Sequence, residues 1–154
     1  MSVEEGKKAP DFSAPTDGGK KLKLSDLRGK AVVLYFYPKD DTSGCTAEAC
    51  GFRDALPDFT KVKALVIGVS KDGVEKHDKF KKKYGLNFPL VSDETGKICD
   101  KYGTWVQKSL YGRKYMGIDR STFLIDRTGT VAKVWRKVKV PGHVDEVLAA
   151  VKEL

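Results

Sequence analysis

The side chain best suited to chemistry in this sequence is the thiol of Cys45, which follows an apolar run and lies at the predicted start of a helix. The unpaired backbone N–H groups of a helix N-terminus carry partial positive charge, and they lower the pKa of a cysteine from about 8.5 to roughly 3.5–7.5. A second cysteine, Cys50, follows five residues later. The pair predicts a redox cycle in which one thiolate reacts and the other converts the product into a disulfide.

The composition of the chain predicts one soluble domain that spans residues 1–154. Hydrophobic residues make up 40% of the chain and charged residues 32%, which is usual for a globular protein. No apolar run approaches the length of about 18 residues that a membrane span needs. The N-terminal residues are acidic and polar and do not resemble a signal peptide. We therefore expect a cytoplasmic protein that contacts no membrane.

The net charge of +8 raises the question of a polyanionic partner. Lysine and arginine are spread along the chain between acidic residues, and the densest basic cluster, at 79–83, is predicted to be the solvated face of a helix. We therefore expect no nucleic-acid partner. A zinc site needs about four ligands, and the three cysteines and two histidines lack the paired spacing of such sites. We expect neither a metal nor another cofactor.

An alternation of strands and helices predicts an α/β fold. Segments 31–37 and 64–70 are apolar runs that are typical of strands buried on both faces. Helices are predicted over 44–55 and over 73–84, and Pro57 is expected to end the first of them. This order favours parallel pairing of the two strands.

The second half of the chain predicts a β-hairpin and a last helix. Segments 121–125 and 130–136 flank a glycine turn and are followed by an amphipathic helix over 144–154. Segment 105–116 has no clear pattern and is predicted to be a surface loop over the site. The element order is therefore βαβα followed by ββα, after an N-terminal extension.

The residues around Cys45 resemble a known family. Pro38, Thr42 and Cys45 fill the pattern Pro-x-x-x-Thr-x-x-Cys, which resembles the active-site motif of the peroxiredoxins. Cys50 lies where the bacterioferritin-comigratory, or peroxiredoxin Q, subfamily carries a resolving cysteine. The similarity covers nearly the whole chain and is clearest in three further segments, 49–54, 115–126 and 134–138. The chain departs from the subfamily at Ser43, which replaces a usual proline and either loosens the loop or caps the helix.

The resemblance implies both a fold and an activity. The fold is thioredoxin-like, of the peroxiredoxin type, with a central mixed sheet flanked by helices. The activity is that of a thiol-dependent peroxidase, in which Cys45 reduces hydrogen peroxide or an alkyl hydroperoxide and becomes a sulfenic acid. Cys50 then forms an intrachain disulfide, which thioredoxin or a similar dithiol protein reduces. The subfamily also implies a monomer.

Three other residues are candidates for the site. Arg120 precedes the predicted strand 121–125, and the family's catalytic arginine aligns with it; we expect parallel pairing to bring it to the thiolate. Its five donors can hold both a thiolate and peroxide oxygens, although a surface ion pair is the alternative. Thr42 either donates its hydroxyl to the thiolate or peroxide or serves as an N-cap. Pro38 is expected to shield the sulfur from water and to end the preceding strand.

The remaining cysteine and the two histidines are expected to take no part in the reaction. Cys99 is predicted to pack in the core, and His77 and His143 are predicted to be solvated surface residues. A thioredoxin-like disulfide oxidoreductase is the main alternative function. It is disfavoured because that chemistry usually has two residues between its cysteines, whereas Cys45 and Cys50 are separated by four.

Overall fold

The strand at the centre of the sheet, β3 (Ala31–Phe36), is buried along its whole length. We describe residues 3–154 of a computed structural model. Val33 and Tyr35 point into one hydrophobic cluster, and Leu34 and Phe36 point into a second cluster on the other face. This period of two is that of a pleated strand, and it explains why the run is apolar without interruption.

Five strands form the central sheet. Their order is β5 (Leu90–Ser92), β4 (Ala64–Ser70), β3, β8 (Ser121–Ile125) and β9 (Val131–Trp135). The first three pair in parallel, and β8 and β9 are antiparallel to their neighbours. The sheet is therefore mixed, as expected.

Helices cover both faces of this sheet. The cluster on one face takes side chains from three helices, which are α1 (Ser43–Lys61), α2 (Val74–Tyr84) and α4 (His143–Lys152). The cluster on the other face takes side chains from α3 (Lys97–Tyr102) and from the N-terminal extension. Within residues 3–154, no helix combines the length and the apolar character that crossing a membrane requires.

The N-terminal extension is a short hairpin followed by a helical turn. Strands β1 (Ser13–Pro15) and β2 (Lys21–Lys23) pair antiparallel. Two 3₁₀ turns accompany them, at Asp17–Gly19 and Leu24–Leu27. Phe12, Ala14 and Leu24 from this region are buried in the second cluster, so the extension closes that face of the sheet.

The prediction that Pro57 ends the first helix is wrong, because α1 continues to Lys61. Proline removes one N–H donor, so the carbonyl oxygen of Arg53 loses its partner four residues later in the helix. The side-chain amide of Asn87 donates to that oxygen at 3.3 Å. Phe59, beyond the proline, is fully buried in the first cluster, and its packing stabilises the last turns of the helix.

The prediction of a loop over 105–116 is also wrong. The segment forms a hairpin of β6 (Trp105–Leu110) and β7 (Arg113–Ile118), paired antiparallel. Its turn places Tyr111 at φ 52° and Gly112 at φ 77°, the positive values that a two-residue hairpin turn of type I′ requires. The strands were missed because polar and apolar side chains do not alternate regularly along them, and all of them except Ile118 are half or fully exposed.

Candidate active site

The site lies where β3 ends and α1 begins. Residues 37–42, called here the active-site loop, join the two elements, and Cys45 is the third residue of α1. Its side chain is in the first turn, where backbone N–H groups lack helical partners. Cys45 is 1% exposed and forms no disulfide, as is also true of Cys50 and Cys99, which are free thiols. The structure is therefore that of the reduced chain.

Arg120 lies directly against the sulfur of Cys45. Its Nη2 atom is 3.4 Å from Cys45 Sγ, and its Nη1 atom donates to Glu48 Oε1 at 2.7 Å. Gly44 permits this approach, because a Cβ atom there would lie 3.1 Å from Nη2. Burial lowers the pKa of Arg120, but the charges of Glu48 and Cys45 outweigh it and hold the pKa above its ordinary value. A permanent cation thus faces the thiol.

The prediction that Arg120 lies near Cys45 is confirmed, but the parallel pairing from which we expected it is wrong. Strand β8 runs antiparallel to β3 and pairs Ser121 with Phe36. The start of β8 therefore lies beside the end of β3, which leads into the active-site loop. A parallel strand would have placed Arg120 at the opposite edge of the sheet.

Glu48 is a site residue that sequence reasoning missed. It follows Cys45 by three residues, which puts both on one face of α1, and its side chain is 0% exposed. Burial raises the pKa of Glu48 to about 7, against the opposing effect of Arg120. Only one of its oxygens has a partner among the described residues, since Oε2 makes no hydrogen bond. Its spacing of three residues from Cys45 was the feature of the sequence that could have identified Glu48 as a site residue.

The remaining residues of the motif surround the start of the helix. Thr42 occupies the N-cap position without a side-chain cap, and its hydroxyl donates to the carbonyl of Lys39 at 3.0 Å. It makes no hydrogen bond to Cys45 in this reduced form. Ser43 is the first residue of α1 and not its cap, so the capping alternative for Ser43 is wrong. Pro38 is exposed in the loop.

Cys50 is on the same helix as Cys45, and its side chain is half-buried. Two residues five apart on a regular helix have Cα atoms roughly 8–9 Å apart. A disulfide needs about 4.4–6.8 Å between them. The two cysteines therefore cannot join while both remain in α1.

The third cysteine and the histidines lie elsewhere in the core. Cys99 is fully buried in the second cluster, which confirms the prediction of core packing. Burial, together with the nearby Asp93, raises the pKa of Cys99 to about 12, so its thiol is not a nucleophile at neutral pH. The prediction of solvated histidines is wrong, because His77 is 0% and His143 3% exposed. Each histidine has a hydrogen-bond partner that satisfies it inside the protein.

Comparisons with known proteins agree on one family. Residues 5–134 match the AhpC/TSA family. A putative peroxiredoxin bcp from Coxiella burnetii is 56% identical over 148 residues, which are 96% of this chain and 98% of that protein. Peroxiredoxin Bcp from Bacillus subtilis is 51% identical over 154 residues, 100% of this chain and 98% of that protein.

Solved structures share the fold as well. The bacterioferritin comigratory protein of Xanthomonas campestris, whose structures were solved to study its alkyl peroxide reduction activity, matches with a TM-score of 0.91 at 43% identity. The match covers 97% of this chain and 98% of that chain. A peroxiredoxin Q mutant from Xylella fastidiosa matches with a TM-score of 0.94 at 39% identity, over 99% of this chain and 98% of that chain. The fold is thus the thioredoxin-like fold of the peroxiredoxins.

The family match and the relatives extend over nearly the whole chain, including the helix start that carries Cys45 and the strand that follows Arg120. The chain therefore belongs to the AhpC/TSA family, with the Bcp peroxiredoxins as its relatives, and it is a thiol-dependent peroxidase.

Proposed function

We propose that Cys45 is the residue that reduces the peroxide, with hydrogen peroxide and organic hydroperoxides as substrates. Its thiolate attacks the terminal oxygen, the O–O bond breaks, and the leaving oxygen takes a proton and departs as water or an alcohol. The sulfur is oxidised to a sulfenic acid. The observation that carries this proposal is the guanidinium of Arg120, with Nη2 at 3.4 Å from Cys45 Sγ at a helix start.

Arg120 stabilises the thiolate before the attack and the negative charge on the leaving oxygen during it. A guanidinium presents several donors in one plane, so it can contact the sulfur and a peroxide oxygen at the same time. Thr42 is one residue before the helix, and rotation of its hydroxyl from the Lys39 carbonyl would free it for the peroxide. Pro38 shapes the loop at the entrance and limits access of water to the sulfur.

Cys50 resolves the sulfenic acid within the same chain. Its thiolate attacks the oxidised sulfur of Cys45, hydroxide leaves and is protonated to water, and a disulfide forms. Because Cα atoms five residues apart on a helix are too distant for this bond, the first turns of α1 must unwind. No second chain is needed, which is consistent with a monomer.

A dithiol protein of the thioredoxin type completes the cycle by thiol–disulfide exchange. One of its thiolates attacks the Cys45–Cys50 disulfide, and its second thiol releases the peroxidase in the reduced state. Unwinding of α1 exposes the disulfide, which an external protein can then reach.

Consumption of peroxide in the presence of thioredoxin, thioredoxin reductase and NADPH tests the whole cycle in one trace. We expect NADPH oxidation that requires the chain, the peroxide and thioredoxin together. The alternative function, a disulfide oxidoreductase, predicts reduction of insulin by the chain without peroxide consumption. That result would contradict the proposal.

The substitution Arg120→Lys is expected to lower the rate constant for the reaction of Cys45 with H₂O₂ by about 10- to 100-fold. An ammonium keeps the charge but cannot contact the sulfur and the peroxide with a rigid fork of donors. Stopped-flow measurement of a single turnover gives the rate constant. Arg136→Lys is the matched control, since Arg136 donates to main-chain carbonyls of Tyr102 and Gly103. Equal rates in Arg120→Lys and the wild type would contradict the assigned role.

The substitution Glu48→Gln is expected to change how the rate depends on pH. Burial raises the pKa of Glu48 to about 7, so the carboxyl becomes charged as pH rises through that value. The new anion competes with the thiolate for Arg120. The variant should react with H₂O₂ about as fast as the wild type below pH 7 and about 3- to 10-fold faster above it.

Stability gives the same test an independent readout. The folded-state pKa of Glu48 lies above its ordinary value of 4.5. As pH rises, Glu48 therefore loses its proton at a lower pH in the unfolded chain than in the folded chain. The wild type should therefore lose stability relative to Glu48→Gln between about pH 4.5 and 7. Exposed Glu75 provides the control substitution Glu75→Gln. An unchanged difference in unfolding free energy across this range would show that Glu48 is not held neutral.

A further inference from the structure

A second charged cluster lies beneath the active-site loop, apart from Cys45 and Arg120. Asp40, in the middle of that loop, is 7% exposed, and His77, in the first turns of α2, is 0% exposed. Asp40 Oδ2 lies 2.6 Å from His77 Nδ1, and the Tyr37 hydroxyl donates to Asp40 Oδ1 at 2.5 Å. The backbone N–H of Asp40 donates to Asp72 Oδ2 at 2.8 Å.

The contacts of His77 determine how many protons its ring carries. Nε2 lies 2.9 Å from the carbonyl oxygen of Val91, which can only accept a hydrogen bond. Nδ1 faces a carboxylate oxygen of Asp40. An ionised Asp40 can only accept, so both ring nitrogens then donate, and only the imidazolium carries a proton on each. The other oxygen of Asp40 already accepts the Tyr37 hydroxyl, as suits an ionised carboxylate.

We propose that His77, as an imidazolium, and Asp40, as a carboxylate, form a buried ion pair that positions the active-site loop for the reaction at Cys45. His77 is thus a positioning residue and does not touch the reacting atoms. The inference rests on the proposed role of Cys45. The pair connects the loop to the start of α2 and, through the carbonyl of Val91, to β5.

A second contact connects the same loop to the other end of α2. Asp41 is held at φ 63°, in the left-handed region, which is uncommon for a residue other than glycine. Its carboxylate accepts the Tyr84 hydroxyl at 2.6 Å and pairs with Lys83 at 2.8 Å. Asp40 and Asp41 therefore contact the first and last turns of one helix. The exposed Asp41 pair is screened by water, so the buried pair is the stronger restraint.

The charges around His77 favour its cationic form. Burial lowers the pKa of His77, but the hydrogen bond and charge of Asp40, the Val91 carbonyl and the charge of Asp72 outweigh it, and the pKa lies above its ordinary value. The titratable groups that face the ring are Asp40 and Tyr37 from the loop and Asp72 from the turn before α2. From β5 it meets the Val91 carbonyl. The ordinary pKa of histidine is about 6.5, so the raised pKa of His77 extends the ion pair to higher pH than an ordinary histidine would allow.

Nuclear magnetic resonance of the wild-type protein tests the charge state directly. The chain has two histidines, and burial lowers the pKa of the other one, His143, to about 4. At pH 6, below the ordinary pKa of histidine, we expect one histidine with protons on both ring nitrogens and one neutral histidine. Two neutral rings at pH 6 would overturn the proposal, whatever the peroxidase activity.

The substitution His77→Gln tests the positioning role. It leaves the Asp40 carboxylate buried without a cation, and we expect the rate constant for H₂O₂ to fall by about 10-fold or more while the protein remains folded. The double variant Asp40→Asn/His77→Gln leaves neither charge of this pair behind. Its rate constant for H₂O₂ should therefore fall by less than the product of the decreases in the two single variants. His143→Asn is the control, because it removes a buried histidine that bonds to Thr122 outside the loop. Its rate should stay within about two-fold of the wild type.

The pH dependence separates this role from a general loss of stability. Because the folded-state pKa of His77 is raised, its stabilisation is complete below about pH 6.5 and is lost as pH rises through the folded-state pKa. The unfolding free energy of His77→Gln should not show this decrease as pH rises. If His77→Gln does not fold, Asp40→Asn serves for the same rate measurement. A folded variant of this pair that reacts at the wild-type rate would overturn the inference, whereas a wild type in which Cys45 does not react would instead overturn the proposed function.

Discussion

Replacement of Cys45 with serine is expected to abolish peroxide turnover and to leave the fold intact. A hydroxyl is not ionised near neutral pH, so neither Arg120 nor the helix start can generate a nucleophile from it. The serine oxygen fits the volume of the sulfur, and the site is buried, so the packing of Ala49 and Phe52 on the same helix should persist. The coupled NADPH assay measures turnover, and circular dichroism measures the helix content.

Cys99→Ala is the matched control for this experiment. It also removes a buried thiol, but from the opposite face of the sheet, and burial has raised the pKa of that thiol to about 12. We expect wild-type turnover and a modest decrease in stability. Turnover by Cys45→Ser within tenfold of the wild-type rate would show that Cys45 is not the residue that reacts with the peroxide.

Replacement of Cys50 with serine is expected to preserve the first turnover and to abolish cycling with thioredoxin. The sulfenic acid still forms at Cys45, but no internal thiol remains to condense with it. It then meets a second peroxide and becomes a sulfinic acid, which thioredoxin does not reduce. We expect a rapid consumption of one peroxide per chain, and mass spectrometry should then find the sulfinic acid at Cys45.

Peptide mapping of the oxidised wild type identifies the partner of Cys45. We expect a monomer with a Cys45–Cys50 disulfide and faster amide exchange over residues 42–53, because that bond requires the first turns of α1 to unwind. Undiminished cycling by Cys50→Ser, or a disulfide from Cys45 to Cys99, would contradict the proposed resolution.

The sequence predicted the strands of the central sheet better than the direction in which they pair. Continuous apolar runs identified β3 and β4, since both faces of each are covered. Such runs contain no information on whether the next strand is parallel, and the antiparallel direction of β8 was missed. Arg120 was nevertheless found, because the motif resemblance identified the residue independently of the topology.

The two histidines were missed because charged neighbours in the sequence were mistaken for a charged environment. His77 lies between Lys76 and Asp78, yet it is three residues before Phe80, which is buried. Residues three apart share a helix face, and this spacing places His77 on the inner side of α2. A carboxylate in a distant loop then supplies its partner, and such a contact depends on the tertiary fold.

We expect the proline inside α1 to weaken the coupling between the turns before it and the turns after it. A helix of continuous hydrogen bonds tends to lose its structure cooperatively. Here the bond between residues 53 and 57 cannot form, and the carbonyl of Arg53 is bonded to Asn87 instead. The turns that carry Cys45 and Cys50 lie before this break, while Phe59 is anchored in the core beyond it. We therefore expect oxidation to unwind the turns that carry Cys45 and Cys50 while the last turn, anchored by Phe59, stays packed in the core, and reduction to let the first turns form again from it.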